Sequence, residues 1–318
     1  MDMRERFRGC LLGLAAGDAV GASVEFRTRG TFTPLSDMTG GGPFNLLPGQ
    51  WTDDTSMALC LATSLVERGG FDPRDQMERY CRWADQGYLS STGTCFDIGG
   101  TIAAALQRFR RTGEPYAGPT DPQSAGNGSI MRLAPIPMFY YPDISAAECY
   151  AETSSRTTHG ATECVDACRL LARIICRALQ GSSRDDVVLG DRKSFVGAAR
   201  IVAIARGDYL GKSAGAIRGS GYVVDSLEAA LWCFTHSDDF EEAILMAANL
   251  GDDADTTAAV CGQVAGAYYG VWGIPAGWRE QLALRSEITR LADRLYNRHG
   301  ESGSGAMDVE IGPFVEAG

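Results

Sequence analysis

The sequence predicts an all-α protein, a single compact orthogonal helical bundle. Apolar residues recur at helical spacing in segment after segment, and nowhere does period-two alternation run long enough to define a sheet. Small residues are abundant, including 39 Gly, and these permit close helix contacts. Length alone, 318 residues, fits one large domain or two small ones. No internal repeat is evident, and residues 1–298 read as one domain.

Taken in order, Phe7, Cys10, Leu11, Leu14, Ala15 and Asp18 share one helical face, so Asp18 points inward with its apolar neighbours. Gly21 ends that helix, and Glu25 follows on an extended piece between Val24 and Phe26. Thr28 to Gln50 is loop, rich in Gly, Pro and Thr. Met57–Arg68 forms a helix ending at Gly69-Gly70, and Pro73 opens another to about Asp85. A polar loop precedes Cys95-Phe96-Asp97-Ile98-Gly99-Gly100 and the helix Thr101–Arg111. The stretch Thr112–Ala125 reads as a connection or flap. Gly126–Arg132 begins a further helix, limited by Pro135 and Pro137. Helices are then expected over Ser145–Thr153, Ala161–Gln180, Ser194–Arg206, Ser226–Thr235, Phe240–Asn249, Thr256–Tyr269 and Gln281–Arg298. Asp238 with Glu241 has capping-box spacing. Gly262, Gly266 and Gly270 share one helix face and admit a close neighbour. Residues 299–318 have weak pattern and many glycines, and read as a mobile tail.

A net charge of −11 argues against nucleic acid or an anionic membrane as the main partner. The ten cysteines contain no CxxC pair, and Cys164, Cys168 and Cys176 fall in one helix. Buried reduced thiols, and with them a cytoplasmic setting, follow. Arg4, Arg6 and Arg8 before Cys10–Ala16 imitate a signal peptide, but the apolar run is too brief. Ala258–Trp278 is uncharged over the length of a membrane span, yet it contains five glycines, Gln263 and Pro275. A core helix explains it better, and no span is expected.

Two polar clusters stand out. Trp51-Thr52-Asp53-Asp54-Thr55 opens one apolar helix, and Asn249–Ala259, NLGDDADTTAA, opens another. The plain reading of either is helix capping, since Asp and Thr accept hydrogen bonds from free N–H groups. Two such clusters without a single Lys or Arg suggest more. Brought together, they would place at least four carboxylates in one small volume, where protons or cations must intervene. All-oxygen donors suit hard divalent ions, Mg²⁺ or Mn²⁺. Asp253 and Asp255 can aim at one ion while Thr256 adds a hydroxyl. The expectation is a dinuclear metal cleft.

Read together, GDAVG (Gly17–Gly21), WTDDT (Trp51–Thr55), GNGSIMR (Gly126–Arg132), THG (Thr158–Gly160) and GDDADT (Gly251–Thr256) resemble the ADP-ribosylglycohydrolase family. The resemblance runs from about Phe7 to Ile274, and is strongest to the bacterial branch that reactivates dinitrogenase reductase. It implies two metal-ligand sets, Thr52, Asp53 and Asp54 with Asp253, Asp255 and Thr256, and it places Asp18 in their support. The family commonly has Gly where this chain has Asp252, whose carboxylate is expected just outside the ligand set.

The resemblance also implies the reaction: hydrolysis of the N-glycosidic bond between ADP-ribose and an arginine side chain of a modified protein. Such a bond needs stabilised positive charge on the sugar, a positioned water and a protonated leaving group. Glu25 is the candidate to assist water or ring opening, and Asp97 to hold the leaving guanidinium. The plain alternatives are a surface salt bridge for Glu25 and a helix cap for Asp97. Phe96, Gly99, Gly100, Asn127, Gly128, Ser129 and His159 are assigned to substrate binding, the glycines because they let a diphosphate approach backbone N–H groups. Rival expectations are another acceptor (serine, a nucleobase or a small guanidine) and a non-catalytic ADP-ribose-binding or structural relative.

Overall fold

The computed structural model describes residues 1–190 and 192–301. Among them there is no strand, only two isolated bridges, Gly41 to Leu46 and Gly126 to Tyr222. Fourteen α-helices carry the chain: α1 (Met3–Gly21), α2 (Asp53–Arg68), α3 (Pro73–Gln86), α4 (Gly100–Thr112), α5 (Pro135–Tyr140), α6 (Ile144–Arg156), α7 (Thr162–Gln180), α8 (Arg184–Leu189), α9 (Ala199–Arg206), α10 (Val223–Thr235), α11 (Phe240–Ala248), α12 (Ala254–Tyr269), α13 (Ala276–Gln281) and α14 (Arg285–Glu301). The predicted tail, 299–318, lies almost wholly outside the described residues.

The centre of the fold is the antiparallel pair α1 and α12. Glycines recur every fourth residue on α1, from Gly9 to Gly21, and the face Gly262–Gly266 of α12 meets them. A Cβ on Gly13 would stand 2.4 Å from the carbonyl oxygen of Gly262, and one on Gly262 would stand 2.1 Å from that of Gly13. No side chain fits between these backbones. The two helices therefore touch along their length, and the end of α1 is delivered to the start of α12. Met3–Val24 is long and apolar enough to cross a membrane, but its residues are packed in the core. The uncharged run from Ala258 is the buried body of α12 as far as Ala267; beyond Tyr269 it leaves the helix, and Trp272 is exposed.

Around this pair the large core gathers α7, α10, α11 and the inner face of α14. A smaller cluster, with Met57, Tyr80, Trp83, Ile102 and Leu106, joins α2, α3 and α4. Gln263, fully buried on α12, accepts from Ala134 N–H and donates to the carbonyls of Ile130 and Met131 at 2.8–3.0 Å. That side chain fastens the 126–134 turn to the central helix.

Several expected elements differ. Gly126–Arg132 forms turns rather than a helix: Ile130 N–H reaches back only to Asn127, and Asn127 N–H goes to Gly221. The helix instead starts at Pro135, because proline at a helix's first positions gives up no needed N–H. Gln281–Arg298 is split, since Leu284 adopts φ 50° and Ala283 N–H bonds to Gly49. Ser194–Arg206 shortens to α9, and α8 was not foreseen. The cap of α11 is Asp239, one residue later than expected, with the Glu242 carboxylate reaching back to Asp238 N–H. All ten cysteines are free thiols.

A candidate metal centre and substrate cleft

The two polar clusters meet. Thr52 Oγ1 lies 3.0 Å from Asp255 Oδ2, and Thr256 Oγ1 lies 3.3 Å from Asp54 Oδ1. Thr52 and Asp253 occupy the N-cap positions of α2 and α12, yet neither side chain caps its own helix. The free N–H groups are satisfied from elsewhere. Asp18, fully buried on α1, accepts from Thr52 N and Oγ1 on one oxygen and from Thr55 N and Oγ1 on the other, at 2.6–3.0 Å. Glu25 Oε2 accepts from Ala254 N (3.0 Å) and Asp255 N (3.2 Å). Most of the capping is thus done by two residues contributed by the α1 segment; Asp255 Oδ1 takes only Thr256 N–H (2.7 Å), and the carboxylates of α2 and α12 otherwise face one another.

The cost of that arrangement shows in the proton affinities. Burial, and next the charge of Asp255, pushes the carboxyls of Asp18 and Asp253 up to about 7 and that of Asp97 up to about 8. Burial first, with neighbouring carboxylates after it, drives Glu25, Asp53 and Asp54 well above the usual range. No Lys or Arg lines the cleft among the described residues.

These residues fit hard cations. Glu25, Asp253 and Asp255 each offer an oxygen within 4.8 Å of the other two. Asp54 Oδ2 is buried without a hydrogen-bond partner. Thr52 has one hydroxyl proton to give and two carboxylate oxygens beside it, on Asp18 and Asp255, so one contact calls for a proton or a cation. The acidic cluster can hold a metal ion, with Glu25 beside the ligands rather than apart from them.

Above the carboxylates opens a cavity of about 350 Å³. Glu25, Asp53, Asp97, Gly99, Gly100, Asn127, Gly128, His159, Asp253, Asp255 and Thr256 line it, as eleven of the residues singled out from sequence. Thr52 and Asp54 lie beneath, 1% and 0% exposed. Ser129 is buried away from the wall, and Phe96 packs instead against Phe44, with ring centroids 5.2 Å apart and planes tilted by 52°. Asp252, expected near the ligands, is exposed; its φ of 56° explains why glycine suits this position, and its backbone pairs with Phe26 N–H and Arg27 C=O. Phe26 (φ 63°) and Asp97 (φ 55°) are also in the left-handed region, so strained residues gather at the cleft.

The sequence reading assigned no site role to seven residues of the wall: Phe26, Ile98, Thr101, Ile102, Gly126, Met131 and Gly221. Ile102 and Met131 carried no polar signal, and Gly221 sits in a segment with no motif. Asn127 holds the far rim: its amide donates to Asp253 Oδ2 (2.9 Å) and Ser226 Oγ (3.2 Å).

The profile of the ADP-ribosylglycohydrolase family matches residues 1–305. An ADP-ribosylarginine hydrolase, Tri1, from Pseudomonas putida (strain GB-1) is 47% identical over 92% of this chain and 78% of its own. The ADP-ribosyl-(dinitrogen reductase) glycohydrolase of Rhodospirillum rubrum is 34% identical over 92% and 96%. A solved structure titled ADP-ribosylglycohydrolase-related protein complex superposes with a TM-score of 0.82 at 43% identity, covering 93% of this chain and 99% of that one. With the two facing carboxylate clusters and the glycine-lined cleft, these matches lead to one conclusion: the chain belongs to the ADP-ribosylglycohydrolase family.

Proposed function

We propose that this protein is a metal-dependent hydrolase that cleaves the N-glycosidic bond between ADP-ribose and an arginine side chain of a modified protein. The observation that carries it is that Asp18 and Glu25 take over the backbone N–H groups at the two helix starts, so that Asp53, Asp54 and Asp253, and one oxygen of Asp255, are not used as caps. A merely structural helix start would use its own Asp and Thr as caps; here they face an opposing set across the cleft floor. The names of the two relatives above support the same bond.

Thr52, Asp53 and Asp54 on one side and Asp253, Asp255 and Thr256 on the other would hold two divalent ions, Mg²⁺ or Mn²⁺. When bound, such ions polarise oxygen ligands and favour deprotonation of a water. The chain's own residues do the rest. Gly99, Gly100 and Gly128 let the ADP-ribose diphosphate approach the backbone. Asp97 takes the edge of the guanidinium through charge-assisted hydrogen bonds. Glu25, fixed through Oε2 to the start of α12, would be kept as a carboxylate by the bound ions, and accepts the proton of the attacking water. A bond forms from water oxygen to the sugar carbon, the carbon–nitrogen bond breaks with its electron pair going to the guanidine nitrogen, and the proton that Glu25 took from the water passes on to that nitrogen, which returns Glu25 to its carboxylate form.

The test is release of ADP-ribose from ADP-ribosylarginine protein compared with a serine-linked substrate of the same ADP-ribose. Preferential turnover of the arginine linkage is expected. Preference for the serine linkage, or binding of ADP-ribose with no turnover of either, would refute the assignment.

A further inference from the structure

His159 is one of three histidines, and it lines the cleft at the start of the segment leading to α7. Its backbone is latched on both sides: His159 N–H donates to Ser155 C=O (2.7 Å) and Ser155 Oγ donates to His159 C=O (2.8 Å). The ring is buried, with Nδ1 2.9 Å from Thr158 Oγ1. Behind that hydroxyl stands Arg132, 1% exposed, whose Nη2 donates to Thr158 Oγ1 at 2.7 Å and Nη1 to Gly128 C=O at 2.8 Å. Its guanidinium lies 4.8 Å over the Tyr80 ring.

The directions of these bonds follow from the chemistry. A guanidinium has donors only, so Thr158 Oγ1 must accept from Arg132. The Thr158 proton then needs an acceptor, and His159 Nδ1 is the one in reach. The opposite arrangement, with a proton on Nδ1, would leave the threonine hydroxyl buried and idle, an expensive outcome. The imidazole is neutral: burial, and then the charge of Arg132, pushes it down to about 3. The remaining proton therefore sits on Nε2. That nitrogen has no hydrogen-bond partner among the described residues, and it faces Gly126 and Gly128, where an added Cβ would stand 3.4 and 3.1 Å from it.

We propose that Arg132 and Thr158 are positioning residues, a relay that fixes His159 as its Nε2–H tautomer so that the cleft presents a neutral donor to an anionic oxygen of the ADP-ribose diphosphate. The ligand half of this proposal rests on the ADP-ribose reading above; the relay does not. A neutral N–H donor whose protonation does not change across physiological pH selects groups that only accept, and it does so without adding cationic charge beside the metal ligands.

Long-range ¹H–¹⁵N correlation spectra of the full protein with ¹⁵N-labelled histidine read the tautomer directly, without any variant. His159 should show a protonated Nε2 and a bare Nδ1 from pH 6 to 8. In Thr158→Val the tautomer preference should be lost and ADP-ribose affinity should fall about tenfold, while adenosine, which has no diphosphate, binds as before. Thr158→Ser should restore both the spectrum and the affinity to within about twofold. A protonated Nδ1 in the wild-type protein overturns the relay. The expected spectra with unchanged ADP-ribose affinity in Thr158→Val overturn the diphosphate contact. The expected spectra in a wild-type protein that binds no ADP-ribose overturn the function reading and the ligand half with it, and leave the relay standing.

Discussion

The hydroxyl of Thr52 lies 3.0 Å from a carboxylate oxygen of Asp255, across 203 residues of chain. This contact joins the first turns of α2 and α12 and makes one site of two sequence clusters. It exists because glycine spacing lets α1 and α12 run backbone to backbone, and because α1 carries Asp18 in its last turn and leads to Glu25. Packing of the smallest residues thus sets the geometry of the most charged ones.

Asp18 touches no substrate wall, yet it holds the start of α2 through four accepted hydrogen bonds. Asp18→Asn keeps the shape but turns one of the two acceptor oxygens, which takes two of those bonds, into a donor facing donors. It should destabilise the fold by about 2 kcal/mol and weaken Mn²⁺ binding. Thermal unfolding and metal titration check this. Wild-type values in both would mean that Asp18 does not organise the metal ligands.

The carboxylates also set a pH dependence. Their folded affinities for protons are raised, to about 7 for Asp18 and Asp253 and about 8 for Asp97. A raised carboxyl contributes stability that is complete below its unfolded value near 4 and is lost as pH rises through the folded value. Metal-free protein should therefore lose melting temperature between pH 5 and 8. Added Mg²⁺ or Mn²⁺ binds the deprotonated forms, so its stabilising shift should grow over the same range. A metal-free stability that is flat or rises with pH contradicts the crowding of carboxylates.

Much of this was legible beforehand. The helical class followed from apolar spacing, and both clusters announced themselves as carboxylates without countercharge. What the sequence could not show was distance. Nothing in Thr52 or Asp255 says that they touch, and Gly9, Gly13 and Gly17, which make them touch, look like any scattered glycines until a partner helix is known. Residues such as Ile102 and Gly221 offer the cleft shape rather than chemistry, so no motif marks them, and Met131, although inside GNGSIMR, has no polar group to single it out. The 126–132 turn is not legible in the sequence, because the hydrogen bonds that hold it go to Gly221 and Gln263, far away in the chain.

The α1–α12 contact has its own test. In Gly13→Ala the new Cβ would stand 2.4 Å from a backbone oxygen, which cannot move aside as a flexible side chain would. Overpacking of this kind costs about 1–3 kcal/mol, or a melting point lower by roughly 2–10 °C. Activity should fall further than folding does, because Asp18 and Glu25 shift with α1. Wild-type stability in Gly13→Ala would show that the helices do not pack this closely.

Asp97 separates leaving-group recognition from sugar binding. Asp97→Asn removes the charge but keeps the shape. Loss of a charge-assisted hydrogen bond, roughly 1.5–3 kcal/mol, should lower kcat/KM on ADP-ribosylarginine about tenfold to a hundredfold. Affinity for free ADP-ribose should barely change. Asp253→Ala should show the reverse, weakening ADP-ribose by disturbing the metal ligands. If calorimetry finds Asp97→Asn as damaged toward ADP-ribose as Asp253→Ala, Asp97 belongs to the sugar or metal site.

The decisive quantity is turnover of ADP-ribosylarginine as a function of Mn²⁺ added back to metal-stripped protein. Release of ADP-ribose should be absent at the start, rise with bound metal and level off at two equivalents per chain. In Asp54→Ala, whose helical circular dichroism should stay near that of the wild type, it should not recover. Full turnover by the stripped protein, or full recovery in Asp54→Ala, would contradict a reaction that depends on metal held between α2 and α12.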